Sequence, residues 1–327
     1  MSNLPEVLCI GESMALFVPG EAGPPHRVRT WQRTIGGAES NVACHLAGLG
    51  LRSRWASAVG DDPFGRALLE EIAAAGVDVG GAVVDPARPT GLYVKESSSG
   101  GSPVRYYRTG SAASAMSPDL LRGLDLGAVG VIHLSGITPA LSATCADLVR
   151  EVLALPRAGT RVSFDLNFRP VLWSDRDPAA ELTELARQAD IVLAGDDEAE
   201  IVWGSGDPGV LRKRLPEPET LVIKHGARGA TLLEGDREPV FAPALKVDVV
   251  EPVGAGDAFA AGFLAATLRG EDPLTRLRSG HLQAASTLRT HDDVGPPLPP
   301  DVVAGLLAAD ERTWAASRLT DEGVVRA

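Results

Sequence analysis

The sequence predicts an α/β protein in which a mostly parallel central sheet lies between two layers of helices. Short β-branched runs alternate with stretches of helical periodicity along most of the 327 residues, a pattern typical of a parallel sheet with helices on both faces. The hydrophobic content of 44% and the charged content of 23% are typical of a globular chain with a sizeable core. We therefore expect one domain over residues 1–327.

The predicted strands and helices follow one another in regular alternation. Apolar, β-branched runs predict strands at residues 7–10, 55–59, 129–134, 161–166, 191–193, 221–223 and 231–233. Apolar residues at three- and four-residue spacing predict helices near residues 39–50, 63–76, 140–155, 178–189, 196–203, 257–269, 273–289 and 300–309. The polar tail after Asp310 carries no pattern that indicates a function.

Two segments, residues 12–35 and 88–112, interrupt this alternation because they lack helical periodicity. The second contains two extended runs, at 90–94 and 104–108, separated by the serine- and glycine-rich stretch 97–102. We predict that the two segments form a small β-sheet over one edge of the main sheet. Such a sheet is well placed to act as a lid.

Composition excludes several functions. The net charge of −12 argues against nucleic acid as a partner, since phosphate binding needs a basic face. No apolar run approaches the ~20 residues that span a bilayer, and residues 1–6 do not resemble a signal peptide. Cys9, Cys44 and Cys145 are far apart in apolar surroundings. We expect reduced, buried thiols and a cytoplasmic protein.

The most informative motif is Gly254-Ala255-Gly256-Asp257, which lies between an alternating apolar run at 247–250 and a predicted helix. Small residues where a strand turns into a helix let backbone N–H groups converge on an anion, helped by the helix dipole. A carboxylate in the first helical turn can accept the proton of a hydroxyl while those N–H groups stabilise a phosphoryl group. The alternative is that Asp257 only caps its own helix.

A second motif, Gly36-Gly37 followed by Asn41, opens the predicted helix near 39–50. Adjacent glycines let a ligand approach the backbone, and an asparagine both donates and accepts hydrogen bonds to hydroxyl groups. The alternative is a simple glycine turn before an amphipathic helix.

Together, the two motifs resemble the signatures of the ribokinase-like sugar kinases, also called the phosphofructokinase B family, and the resemblance covers nearly the whole chain. It implies a three-layer αβα fold with a β-sheet lid, and ATP and Mg²⁺ as cofactors. It also implies that Asp257 is the catalytic base, that Gly254, Ala255 and Gly256 form the anion hole, and that Gly36, Gly37 and Asn41 contact the sugar.

Within that family, the stretches 106–112, 133–141 and 165–173 resemble the 2-keto-3-deoxygluconate kinase branch. Two arginines, Arg108 on the predicted lid and Arg169 past the end of a strand, suit a substrate carboxylate, which guanidinium groups bind bidentately. The alternative for each is a surface ion pair. The resemblance implies that the substrate is surrounded by Tyr93, Tyr106, Arg108, Arg169 and Asp293.

The same resemblance implies which residues bind the nucleotide. The turn at 224–230 resembles the family's ATP-binding turn, which assigns nucleotide contacts to Lys224, Gly226, Arg228, Gly229, Gly254, Gly256 and His281. Glu198 is the candidate for magnesium, acting through water. The sequence departs from the family at Gly195, where many relatives have asparagine, and at Glu251, where many have aspartate.

We expect an ATP-dependent kinase that phosphorylates a primary hydroxyl of a keto-deoxy sugar acid, assembled as a homo-oligomer through the lid sheet. A fructokinase or other neutral-sugar kinase is an alternative, and it predicts that both arginines point away from the pocket. A catalytically impaired sugar- or nucleoside-binding regulator is another. A dinucleotide-dependent oxidoreductase is disfavoured because the G-x-G-x-x-G match at 204–209 follows a helix and contains Pro208.

Overall fold

A computed structural model describes residues 6–21, 23–95, 104–174, 176–320 and 323–325. The strands are β1 (Glu6–Ile10), β2 (Met14–Pro19), β3 (Trp31–Gly36), β4 (Ser53–Gly60), β5 (Asp78–Asp85), β6 (Leu92–Lys95), β7 (Val104–Tyr107), β8 (Val129–Ser135), β9 (Arg161–Asp165), β10 (Ile191–Gly195), β11 (Thr220–Lys224), β12 (Ala230–Glu234), β13 (Val240–Ala242), β14 (Lys246–Val247), β15 (Arg318–Thr320) and β16 (Gly323–Val325).

The helices alternate with these strands over most of the chain. They are α1 (Ala38–Gly48), α2 (Pro63–Ala74), α3 (Thr138–Leu141), α4 (Ala143–Ala154), α5 (Pro178–Gln188), α6 (Asp196–Trp203), α7 (Pro208–Arg214), α8 (Ala255–Leu268), α9 (Pro273–Thr287), α10 (Pro300–Leu307) and α11 (Glu311–Ala316). Among the described residues, none of the helices combines the length and apolar character needed to cross a bilayer.

The central sheet confirms the predicted fold class. Its nine strands have the order β13-β12-β11-β10-β9-β8-β1-β4-β5. Neighbouring strands from β11 to β5 pair in parallel, whereas β12 and β13 add antiparallel at one edge. Parallel strands need crossover helices, which explains the alternation visible in the sequence.

Helices cover both faces of the sheet, and β1 shows how. Leu8 and Ile10 pack in one apolar cluster with α4, α5 and α6, whereas Val7 and Cys9 pack in a second cluster with α1, α2, α8 and α9. Successive side chains of a strand point to opposite faces, so a strand buried on both sides is apolar throughout. As predicted, Cys9, Cys44 and Cys145 are free and buried.

A separate four-stranded sheet, with the order β3-β2-β6-β7, confirms the small sheet predicted from segments 12–35 and 88–112. Met14, Leu16 and Tyr93 form its apolar cluster, and the ring of Tyr93 stacks on that of Tyr106 at 5.6 Å. The predicted loop at 97–102 lies outside the described residues.

Several local predictions are wrong. The predicted helix near 140–155 is two helices, because Ser142 has an extended backbone and its hydroxyl caps α4 by accepting from the N–H of Cys145. The glycine-rich stretch 204–209 is partly a loop, but Pro208 is the first residue of α7, a position where proline's missing N–H is no loss.

The apolar run at 247–250 does not form a strand of the main sheet. Only Lys246–Val247 is extended, and the side chains of Val249 and Val250 are exposed. The edge strand β5, which no strong pattern predicted, pairs in parallel with β4. The tail after Asp310 is also ordered where it is described, since α11, β15 and β16 pack with β14 around the buried Trp314.

Candidate active site

The candidate site is a cavity of about 430 Å³ between the small sheet and the carboxyl ends of the central strands, the edge of an open α/β sheet where ligands usually bind. The structure brings most of the predicted site residues into its lining. They are Gly36, Gly37, Asn41, Tyr93, Tyr106, Arg108, Arg169, Glu198, Lys224, Gly254, Gly256, Asp257 and Asp293.

The glycine turn before α8 has the geometry that the motif predicts. Gly254 is the N-cap residue and adopts a left-handed conformation with φ of 85°, which glycine tolerates and other residues rarely do. A Cβ atom at Gly254 would also overlap with the backbone oxygen of Asp293, whereas one at Gly256 would lie 3.7 Å from Nζ of Lys224. Gly254 and Gly256 both line the cavity, so the first helical turn, whose amide N–H groups have no partner within the helix, begins there beside a lysine.

Asp257 lies in this first turn, and two asparagines bind its carboxylate. Nδ2 of Asn41 donates to Oδ2 of Asp257 at 2.9 Å, and Nδ2 of Asn167 donates to Oδ1 at 3.3 Å. Desolvation, opposed by the Asn41 hydrogen bond and assisted by the nearby charge of Asp165, raises the pKa of Asp257 to about 7. A carboxylate with a pKa near neutrality suits a general base.

The diglycine is required by the close approach of other segments. A Cβ atom at Gly36 would overlap with the hydroxyl of Tyr93, and one at Gly37 would overlap with the backbone oxygen of Glu12. Gly37 is the N-cap of α1 in an extended conformation. These glycines let the end of β3 and the start of α1 lie against Tyr93 of β6 and the backbone of Glu12, and Asn41 of α1 is hydrogen-bonded to Asp257.

The segment after β9 supplies three further polar groups. Asp165 ends the strand and accepts two hydrogen bonds from Nζ of Lys224, at 2.8 and 3.0 Å. Asn167 has a positive φ of 36°, a conformation that asparagine adopts more readily than most residues. Burial alone would lower the pKa of Lys224, but the charges of Asp165 and Glu198 outweigh it and the pKa is raised. Lys224 therefore remains a cation in the cavity.

Glu198 is bound to the backbone around it. One oxygen accepts from the N–H of Phe168 at 3.0 Å, and the other accepts from the N–H of Gly195 at 2.9 Å. A Cβ atom at Gly195 would lie 3.0 Å from that second oxygen, so the departure from asparagine leaves room for the carboxylate to fold back. Within the described part of the chain, no three His, Cys, Asp or Glu side chains come together as they would around a metal ion.

The two predicted arginines both line the cavity, but they differ in their partners. Nε of Arg108 donates to Glu12 at 2.6 Å, Nη2 is also bonded to Glu12, and the hydroxyl of Ser111 donates to the same carboxylate at 2.7 Å. Arg169 makes a longer ion pair, 3.6 Å from Oε1 of Glu198, and its side chain is 44% exposed. Arg169 is therefore the less neutralised guanidinium of the two.

Five predicted residues do not line the cavity. Gly226, Arg228 and Gly229 lie in the turn between β11 and β12, where the exposed Arg228 bonds to Asp196. Ala255 lies in the glycine turn with its N–H 3.4 Å from the oxygen of Pro252. His281 is buried, its Nε2 lies 3.0 Å from the oxygen of Ala242, and burial lowers its pKa to about 4. The structure does not bring its imidazole to the cavity.

Sequence reasoning missed four polar residues of the site. Glu12, Asp165 and Asn167 contact Arg108, Lys224 and Asp257 respectively, and Lys95 contacts Asp293. A signal existed for the middle two, because Asp165 and Asn167 follow a buried strand at the sheet edge that carries the other polar residues. Glu12 and Lys95 had no such signal.

Comparison with known proteins agrees with this geometry. The sequence pattern of the family described as "pfkB family carbohydrate kinase" matches residues 4–299, a range that contains all of the cavity lining. The protein is thus a carbohydrate kinase by class. Within that class, the chain belongs to the pfkB family.

Similar proteins cover nearly the whole chain. A 2-dehydro-3-deoxygluconokinase of Bacillus subtilis (strain 168) is 37% identical over 296 residues, or 88% of this chain and 91% of that protein. A 2-dehydro-3-deoxygalactonokinase of Haloferax volcanii is 32% identical over 93% of this chain and 98% of that protein. The crystal structure of a PfkB protein from Polaromonas sp. JS666 is 34% identical, with a TM-score of 0.80, over 94% of this chain and 100% of that one.

Proposed function

We propose that this kinase transfers the γ-phosphoryl group of ATP to a primary hydroxyl of a keto-deoxy sugar acid. The proposed substrate is 2-keto-3-deoxygluconate (2-dehydro-3-deoxygluconate) and the product is its 6-phosphate. The observation that carries the proposal is the presence of Asp257 and the incompletely neutralised Arg169 in one cavity. The names of the two relatives, which both refer to keto-deoxy sugar acids, support the same substrate class.

In this proposal, Asp257 is the general base. Its carboxylate accepts the proton of the sugar hydroxyl as the hydroxyl oxygen forms a bond to the γ-phosphorus, and the bond from that phosphorus to the bridging oxygen of ADP breaks. Asn41 and Asn167 orient the carboxylate with one hydrogen bond on each oxygen. Each bond leaves further lone pairs on these oxygens, so the hydroxyl can donate to the same group.

The glycine turn and Lys224 make up the phosphoryl side. The N–H groups at the start of α8 stabilise negative charge on the phosphoryl oxygens, and the ammonium of Lys224 lies beside Gly256. Magnesium bound to the ATP phosphates would neutralise their charge. The carboxylate of Glu198, already bonded to two backbone amides, suits contact with such an ion through water.

Arg169 is the proposed partner of the substrate carboxylate. Its ion pair with Glu198 is long, and its exposed side chain can rotate to make charge-assisted hydrogen bonds. Arg108 contributes less charge because Glu12 neutralises it, and we assign it to holding the small sheet over the cavity. Tyr93, Tyr106, Gly36 and Gly37 complete the proposed sugar-binding wall.

A panel of substrates tests the proposal. ATP consumption would be measured against both epimers of the 2-keto-3-deoxy sugar acid and against fructose and ribose as neutral sugars. We expect the highest kcat/KM for a sugar acid, and the two epimers will show which 4-hydroxyl orientation is preferred. A higher kcat/KM for a neutral sugar would replace this proposal with the neutral-sugar alternative. Absence of turnover on all of them, with intact nucleotide binding, would support the regulator alternative.

We further propose that residues 1–327 work as one kinase domain whose small sheet, from segments 12–35 and 88–112, is the lid. In the described part of that sheet β3 and β7 are the outer strands, and pairing at such an edge between two chains would give a homodimer. Light scattering of the purified protein tests the assembly. The three buried, free thiols suit the reducing cytoplasm as its location.

A further inference from the structure

The lid strand β6 is bonded to the loop after α9 through one carboxylate. The hydroxyl of Tyr93 donates to Oδ2 of Asp293 at 3.0 Å, and Nζ of Lys95 donates to Oδ1 at 2.9 Å. Both donors belong to the same short strand. Each oxygen of the carboxylate therefore has its own donor from the small sheet, across about 200 positions of the chain.

Asp293 in turn contacts the glycine turn. The backbone of Asp293 lies so close to Gly254 that a Cβ atom there would overlap with its oxygen. Gly254 is the left-handed N-cap that begins α8 and sets the direction of the following N–H groups. The backbone of Asp293 thus packs directly against the backbone of the glycine turn.

The cation in this connection is deeply buried. Lys95 is 3% exposed and Asp293 is 4% exposed, and the second carboxylate near Nζ is that of Glu251, at 3.9 Å. Burying an ammonium group is costly unless it is paired and hydrogen-bonded. A lysine that served only to cover the cavity would keep its ammonium group in water, whereas the ammonium group of Lys95 is buried and hydrogen-bonded to Asp293.

We propose that Lys95 and Tyr93 are positioning residues that hold the glycine turn in its phosphoryl-binding geometry through Asp293. The inference rests on the proposed function, because it assigns phosphoryl binding to that turn. In this proposal, the small sheet supports the phosphoryl-binding turn in addition to covering the cavity. When β6 moves away, Asp293 loses both donors and the turn loses its support.

The test compares Lys95→Met with Lys213→Met, which makes the same substitution on the exposed surface of α7. We expect Lys95→Met to lower kcat by about 100-fold with much smaller changes in KM, because a small misplacement of catalytic groups costs this much. Hydrogen exchange of the amides of residues 253–258 should become faster in Lys95→Met than in the wild type. Lys213→Met should match the wild type in both measurements.

A purely structural role of Lys95 predicts a different result. The double variant Lys95→Met/Asp293→Asn has no unpaired buried charge at this pair, so its thermal stability should recover relative to Lys95→Met. If kcat and exchange recover with it, Lys95 is only a counter-charge and the proposal is wrong. If stability recovers while exchange at 253–258 stays fast, the connection itself matters.

Tyr93→Phe is the second variant, should Lys95→Met fail to fold. It removes only the hydroxyl that donates to Asp293, and it should lower kcat and speed exchange at 253–258 in the same direction. Unchanged exchange in a folded Tyr93→Phe variant would overturn the inference. The exchange measurement needs no substrate, so it separates this inference from the proposed function, which fails instead if the wild type phosphorylates no sugar acid.

Discussion

Nδ2 of Asn41 donates a hydrogen bond of 2.9 Å to Oδ2 of Asp257, and this bond joins the first turn of α1 to the first turn of α8. The two residues are 216 positions apart in the chain. The diglycine motif and the glycine-aspartate motif therefore meet in one site, where each fixes the orientation of the other.

Asp257→Asn should lower kcat by about 10²- to 10⁴-fold, because the amide cannot accept the hydroxyl proton. The affinity for ATP should change little, since Asp257 is assigned to the hydroxyl side of the cavity. A coupled assay at saturating substrates and isothermal calorimetry with ATP check the two parts. A variant that keeps more than about a tenth of the wild-type kcat contradicts the assignment of the base.

The pH dependence of catalysis should report the pKa of Asp257, which desolvation raises to about 7. The carboxylate acts as a base only when deprotonated, so kcat/KM should rise with pH up to about 7 and then level off. Steady-state rates between pH 5 and pH 9 at fixed ionic strength check this. An increase that is already complete near the ordinary range of an aspartate would be inconsistent with the site geometry.

The same shift has a consequence for stability. Because the folded-state pKa of Asp257 lies above the ordinary aspartate pKa of 3.8, its contribution to stability is fully present below pH 3.8 and is lost as the pH rises through about 7. Asp257→Asn removes this loss. The melting temperature of Asp257→Asn relative to the wild type should therefore be higher at pH 8 than at pH 4.

The two arginines should respond differently to substitution by alanine. Arg169→Ala should raise KM for the sugar acid by about 10- to 150-fold, the value of a lost charge-assisted hydrogen bond, with little effect on KM for ATP. Arg108→Ala should instead lower stability, because it leaves the 2% exposed Glu12 without its counter-charge. Steady-state kinetics and denaturant unfolding of both variants check the difference. A normal KM in Arg169→Ala would exclude the proposed carboxylate contact.

Alanine substitutions at Gly254 and Gly256, in the turn before α8, form a matched pair. Gly254→Ala places a side chain at a φ of 85° and against the backbone of Asp293, so both stability and kcat should fall. Gly256→Ala has room, with Nζ of Lys224 at 3.7 Å, so the fold should be kept. Its methyl group lies in the cavity, and KM for ATP should rise. Equal stability of the two variants would contradict the steric argument.

The small sheet should close over bound substrate, since a kinase must keep water away from the transferred phosphoryl group. We expect the amides of segment 88–112, the proposed lid, to gain protection from hydrogen exchange when the sugar acid binds, and to change little with ATP alone. Hydrogen exchange with each ligand separately and with both checks this. Equal protection with and without sugar acid would mean that the sheet is a static element serving dimer contacts.

The sequence by itself determined the fold class and the two glycine motifs. Alternation of apolar strands and amphipathic helices is a local pattern, and so are the glycines at 36–37 and 254–256 that begin α1 and α8. The pattern of each single strand, helix or glycine turn is contained in fewer than about twenty consecutive residues, because backbone conformation depends mainly on neighbouring residues. The meeting of the two glycine motifs in one cavity was not contained in these local signals, because α1 follows β3 of the small sheet and α8 follows β14, and neither is a strand of the central sheet.

Only the tertiary structure decided which charges pair with each other. Lys224 bonds to Asp165, 59 positions away in the sequence, and Lys95 bonds to Asp293, 198 positions away. Neither separation corresponds to a helical or strand period. The burial of His281 behind the β12–β13 edge could not be predicted from the sequence either. Pairing of buried charges depends on desolvation and on ångström-scale packing of distant segments, quantities that are defined only once the chain has folded.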